Sequence, residues 1–137
     1  MIERVSMRLN LSQKLNSVIG TCPIGWYQYK DKCFFVYNRG ATYAEFTAFC
    51  AKLQATAISI HSREEEEFLI KILKNNGNWY WIGLYRWQLG QKVFGWRDGT
   101  QSKYQHWNTN EPNEVNDPNA YCVSVNPDNN FLWFDEN

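Results

Sequence analysis

Apolar positions in this chain change their spacing several times, and each change predicts an element. Ile2, Val5 and Leu9 share one helical face, as do Leu11, Leu15 and Val18. Neither stripe persists long enough for a coiled coil, so residues 1–20 are expected to be a leader or neck. That segment contains Asn10-Leu11-Ser12, a glycosylation sequon. Residues 21–137 are expected to form one domain. It opens with Trp26-Tyr27-Gln28-Tyr29 and Phe34-Phe35-Val36-Tyr37, two strand-like runs separated by the polar Lys30-Asp31-Lys32, which predicts a hairpin.

The spacing then becomes helical. Thr42-Tyr43-Ala44-Glu45 is a capping box, followed by Phe46, Phe49, Cys50 and Leu53 on one face. Ser62-Arg63-Glu64-Glu65 predicts a second capped helix, with an apolar stripe of Phe68, Leu69, Ile72 and Leu73 and a stop at Gly77. Glutamates 64 to 67 crowd the positive end of its dipole and read as a solvated helix start. Beyond Gly77 come strands at Trp79–Leu84, Val93–Trp96, Tyr121–Val125 and Phe131–Phe134, with turns at Arg97-Asp98-Gly99 and at residues 126–130. Strands, two helices and then strands with long loops predict an α+β fold with antiparallel pairing.

The totals narrow the class. The chain has 137 residues, enough for one domain with a real core. Its 14 basic and 14 acidic side chains cancel, giving no reason to expect nucleic acid or an anionic membrane as partner. No stretch approaches the ~20 apolar residues of a membrane span. Arg4, Arg8 and Lys14 make the start too polar for a signal peptide. Seven tryptophans and eight tyrosines imply an aromatic core. The four cysteines, Cys22, Cys33, Cys50 and Cys122, contain no C-x-x-C and leave three full pairings open. An even count in a small aromatic-rich domain favours an oxidising compartment, secreted or on the extracellular face of a membrane protein.

The densest chemistry is HWNTNEPNEVNDPNAYCV, residues 106–123, where Glu111, Glu114, Asp117 and several asparagines surround two prolines. Asn, Asp and Pro are turn formers, so a plain surface loop is one reading. A hard-cation site is another, because Ca2+ takes about 6–8 oxygen ligands from carboxylates, amides, carbonyls and water. Glu111 and Asn113 bracket Pro112 and can point to one ion if the Glu111–Pro112 bond is cis, a form that X–Pro bonds tolerate. A carboxylate pair acting on a glycoside is the third reading; it needs about 5–10 Å between acid and base in a cleft, and a domain this small offers little cleft. There is no GxSxG or Gly-rich phosphate loop. His61 and His106 read as structural, and a catalytic triad is not expected.

These landmarks resemble the C-type lectin-like domain family. The matching pieces are CPIGWYQYKDKC at 22–33, the helix ending at Cys50, WIGL at 81–84, WRDG at 96–99, W-x-x-x-EPN at 107–113, YCV at 121–123 and WFD at 133–135. The resemblance implies a C-type lectin fold, two helices flanking antiparallel sheets with a long calcium- and sugar-binding loop region. It implies a Cys22–Cys33 bridge, a cis-proline at Pro112, and a non-enzymatic module whose EPN loop prefers mannose, N-acetylglucosamine or fucose. The partners implied are glycans with equatorial 3- and 4-hydroxyls, with clustering of several domains giving avidity.

The chain also departs from that pattern. The family's acidic ligand two residues before the YCV cysteine is Ala120 here, in a loop one residue longer, so Asn119 or Asp117 is the substitute. The WND asparagine is Phe134. The carried-over calcium and sugar ligands are therefore Glu111, Asn113, Asn119 and Asp135, a set that implies weak Ca2+ binding or none. The alternative is a calcium-independent lectin-like domain that binds a protein. The family's two final cysteines are missing, so Cys50 and Cys122 are expected to be unpaired unless they meet each other. Loss of a native bridge costs about 2–5 kcal/mol of a stability near 5–15 kcal/mol, so the chain is expected to be part of a longer protein or marginally folded.

Overall fold

A computed structural model of the chain describes residues 2–4 and 22–136. The chain forms two compact units, Met1–Ile58 and Ser59–Asn137. In the first, strands β1 (Ile2–Arg4), β2 (Tyr27–Tyr29), β3 (Lys32–Phe35) and β4 (Thr56–Ala57) form an antiparallel sheet in the order β2-β3-β1-β4. The β2–β3 hairpin turns at Lys30, whose φ is +52°, and a Cys22–Cys33 disulfide closes it. Ile2 belongs to a central strand, where it pairs with Phe35 and Ala57. Its backbone is satisfied by two neighbouring strands instead of continuing the helical spacing toward Val5. The second helical stripe and the sequon of the leader lie outside the described residues.

Helix α1 (Tyr43–Lys52) starts at Thr42, and the full capping box forms: the Thr42 hydroxyl accepts from Glu45 N–H at 3.1 Å, and the Glu45 carboxylate accepts from Thr42 N–H at 2.9 Å. It buries Tyr43, Phe46 and Cys50. Phe49 stacks on Tyr37 with centroids 4.2 Å apart. This aromatic layer supplies much of the apolar burial of the first unit.

In the second unit, helix α2 (Arg63–Leu73) is followed by β5 (Tyr80–Arg86), β6 (Phe94–Trp96), β7 (Cys122–Val125) and β8 (Trp133–Glu136), paired antiparallel in the order β6-β5-β7-β8. Ser62 caps α2, and the Glu65 carboxylate reaches the N–H of His61, one residue before the cap. The helix ends at Leu73, before Gly77. A short 3-10 turn, Pro127–Asn129, joins β7 to β8.

Only half of the glutamate run is a solvated helix start: Glu64 and Glu67 are exposed, whereas the middle pair is buried. Glu65 is 4% exposed and Glu66 is 0% exposed. Glu66 accepts from the Trp133 indole at 2.9 Å and the Tyr104 hydroxyl at 2.6 Å, and its Oε1 lies 2.8 Å from His106 Nδ1 and 3.3 Å from the Arg63 guanidinium. Four partners offset the cost of burying the carboxylate. Desolvation still wins in direction: it raises the Glu66 pKa above the usual range against the lowering effects of Tyr104, His106, Trp133 and Arg63.

Cys50 and Cys122 are buried and free. Burial pushes both thiols up to about 12. No helix among the described residues is long and apolar enough to cross a membrane.

Candidate functional site

The oxygen-rich loop is laced to β8 at its start. Trp133 N–H donates to His106 O at 2.8 Å, Asn108 N–H donates to Trp133 O at 3.0 Å, and Trp107 bridges Trp133 in parallel. The Trp133 ring meets Trp96, Trp107 and Tyr104 edge-on at 5.6–6.0 Å. A rigid aromatic cluster thus carries both sides of the loop entrance. Asn110 takes φ +69°, Glu111 N–H donates to Asn108 O at 2.9 Å, and the Glu111–Pro112 bond is cis.

Asp135 sits two residues beyond Trp133 on the same face of β8, opposite Val123, and is 2% exposed. Its two oxygens accept from Asn113 N–H at 3.0 Å and Glu114 N–H at 2.9 Å. One side chain therefore fixes the chain just past the cis bond. Beside it, Glu111 has a buried Oε2 with no hydrogen-bond partner. Burial, then a hydrogen bond that the protonated Glu111 carboxyl donates to Asp135 and the charge of Asp135, raise the Glu111 carboxyl to about 7. Glu136 is also raised, by burial and then by the charges of Glu114 and Asp135. Four carboxyl groups thus feel one another in this corner.

The sequence-derived ligands divide. The structure brings Glu111, Asn113 and Asp135 together. Asn119 is exposed, and its N–H closes a turn onto Asp117 Oδ1 at 2.9 Å. Ala120 is fully buried, and Phe134 packs edge-on against Trp79 at 5.3 Å, on the face opposite Asp135. Among the described residues, no three His, Cys, Asp or Glu side chains converge within metal-binding reach, so the mutual charges extend further than direct coordination does. A hard cation at the Glu111–Asp135 pair would meet the unpartnered Oε2 and offset the burial and the Asp135 charge that raise Glu111.

The second half of the loop is organised by a residue that the sequence pattern does not reveal. Arg86, at the end of β5, is 6% exposed. Its guanidinium donates to the carbonyls of Glu114 at 3.1 Å, Ala120 at 2.9 Å and Asp117 at 2.9 Å. Gly90 N–H donates to Val115 O at 2.7 Å. A planar donor set with fixed directions ties three carbonyls of irregular backbone to one side chain; those of Glu114 and Asp117 also accept the N–H groups of Asp117 and Ala120. Periodicity assigns Arg86 only to a strand end, so nothing in the spacing marks it.

The expectation of little cleft is also corrected. A cavity of about 740 Å³ opens beside Glu111 and Pro112, with Trp87, Phe94, Trp107 and Gln101 among its walls. Long connections after β5 and β6 leave this space because their own side chains do not fill it.

Comparison with known proteins identifies the family. The family model described as the lectin C-type domain matches residues 39–137. Ladderlectin of Oncorhynchus mykiss is 28% identical over 119 residues, covering 85% of this chain. The chain spans less than two thirds of the length of the curated relatives it matches first, including 62% of ladderlectin. Among solved structures, the cow C-type carbohydrate-recognition domain of CD23, in the presence of a GlcNAc2Man3 oligosaccharide, is 29% identical with a TM-score of 0.73, covering 85% of each chain. A calcium-independent type II antifreeze protein is 27% identical with a TM-score of 0.74, again covering 85% of each chain.

Proposed function

Because the chain belongs to the C-type lectin domain family, we propose that it is a calcium-dependent carbohydrate-binding module of mannose, N-acetylglucosamine or fucose preference, acting outside the cell. The observation that carries this reading is the Glu111–Asp135 pair: two carboxyl groups held against each other, one with a buried oxygen that has no partner. Bound Ca2+ supplies charge and open coordination sites for two adjacent sugar hydroxyls.

The chain's own residues supply direction. Glu111, once deprotonated, accepts from a hydroxyl, and the Asn113 side-chain amide donates to one. Asp135 holds the backbone just past Pro112 through the N–H groups of Asn113 and Glu114. Equatorial 3- and 4-hydroxyls match an acid and an amide on either side of Pro112. Exchanging acid and amide reverses donor and acceptor and changes the preferred hydroxyl geometry. The solved CD23 relative with an oligosaccharide supports the glycan reading.

A calcium-independent domain binding a protein or another ligand is the second reading. Buried Ala120 and outward Phe134 favour it, since neither offers a side-chain oxygen, and a calcium-independent relative of the same fold supports it. Retention on mannose–agarose, elution with EDTA and the Glu111→Gln/Asn113→Asp double variant test the choice. Elution by EDTA and a shift toward galactose are expected. Retention that survives EDTA overturns the calcium mechanism, and absence of retention on any sugar favours the second reading.

A further inference from the structure

The cavity beside Glu111 has the lining of a ligand site. Its volume, about 740 Å³, lies within the range of about 300–1,000 Å³ typical of small-molecule pockets. Trp87 lines it and is 59% exposed, so a large indole forgoes burial at this point. That indole is not loose. A Cβ added at Gly95 would come within 3.3 Å of its Nε1, so the missing side chain gives the ring room against β6. Trp87 N–H also donates to Val93 O at 3.3 Å, which fixes the base of its loop. Farther in, Phe94 meets Trp107 at 4.9 Å.

Polar groups alternate with these rings. Gln101, Ser102 and Gln105 line the same cavity and offer amide and hydroxyl partners. Beyond Lys92 and Glu111, the polar groups on its walls are neutral. An acyl chain would leave those amides unpaired. A pyranose ring matches both parts: its C–H face packs on an aromatic ring, and its rim of hydroxyls exchanges hydrogen bonds.

We propose that this cleft is a second glycan subsite, taking the pyranose that adjoins the one bound at Glu111 and Asn113, with Trp87 as its stacking platform. The inference rests on the carbohydrate reading given above. It makes the preferred ligand an oligosaccharide, because Glu111 and Pro112 border both the primary loop and the cleft.

The test is titration calorimetry with two soluble monovalent ligands, methyl α-mannoside and mannotriose, on wild type, Trp87→Ala and Trp87→Phe, in calcium and in EDTA. Thermal melts check that each variant folds. In wild type the trisaccharide should bind about tenfold more tightly than the monosaccharide. Trp87→Ala should remove most of that gain and leave monosaccharide affinity within about twofold, and Trp87→Phe should restore most of it. A gain that is absent in wild type, or equal in wild type and Trp87→Ala, overturns the cleft and leaves the primary loop intact. Trp87-dependent trisaccharide binding that persists in EDTA upholds the cleft and overturns the calcium reading. Failure of both ligands to bind overturns both.

Discussion

The indole N–H of Trp133 donates to the carboxylate of Glu66 at 2.9 Å, joining α2 to the strand that carries Asp135 two residues later. The strand that pairs Asp135 with Val123 is thus also tied, through Trp133, to a buried glutamate on a helix. Glu66→Gln keeps the shape but leaves one acceptor oxygen facing the donors of Trp133, Tyr104 and Arg63. Chemical denaturation should show a loss of about 1–3 kcal/mol. An unchanged midpoint would show that the network contributes no net stability.

Under the proposed calcium reading, affinity should depend on pH through Glu111. Its pKa is raised to about 7, so the ion would have to displace a proton at lower pH. Affinity should rise with pH up to about 7 and level off above it, and Glu111→Gln should remove that dependence; calorimetry across pH 5–8 measures both. Without calcium the same group acts on stability in the opposite sense. The folded protein binds the proton more tightly than the unfolded chain does. This contribution is therefore fully present below the unfolded value of 4.5 and is lost as pH rises toward 7. Melting temperatures in EDTA should fall through that window less steeply in Glu111→Gln than in wild type, the remaining slope coming from the raised Glu66 and Glu136 carboxyls.

Arg86→Met removes the donors to the carbonyls of residues 114, 117 and 120 while keeping an unbranched apolar stem. The expected cost is roughly 1.5–3 kcal/mol or more, since bonds to a charged group are lost from a buried site. Hydrogen exchange should accelerate across 113–121 before it does in β7. Exchange that is uniform along the chain would deny Arg86 a local role.

Cutting the Cys22–Cys33 link with a Cys22→Ser/Cys33→Ser pair should cost about 2–4 kcal/mol, read from urea midpoints. The other two cysteines should behave differently. With thiols raised to about 12 and buried, Cys50 and Cys122 should resist iodoacetamide at pH 8 in the native protein and react quickly in urea. Rapid native labelling of either would contradict its burial.

Much of this architecture was legible because it is local. The α1 capping box is four contiguous residues whose side chains can reach only their own helix start. The hairpins announce themselves by polar turns between apolar runs. The strand expected over 131–134 is found at Trp133–Glu136, two residues further on, which puts Asp135 and Phe134 on opposite faces. What stayed hidden depends on residues distant in the chain. The glutamates of α2 look solvated to any periodicity, and only Trp133, Tyr104 and His106, 38 to 67 residues further on, make Glu66 an interior group. Arg86 is equally silent, because three carbonyls from a later loop define its role. Ile2 reads as helical by spacing, and its strand emerges only through pairing with residues 35 and 57. The cavity beside Glu111 is a volume that connecting segments fail to fill, a property that no residue pattern records.

Arg86 also separates two tasks that a single exchangeable ion would otherwise share. Its guanidinium is covalently part of the protein, so a chelator cannot extract it. The ribbon from Glu114 to Ala120 should keep its path when divalent metal is stripped away, and reloading would meet a preformed rim. Under the proposed function, capture and release of a glycan would then cycle repeatedly without each round exposing that stretch of backbone to proteases.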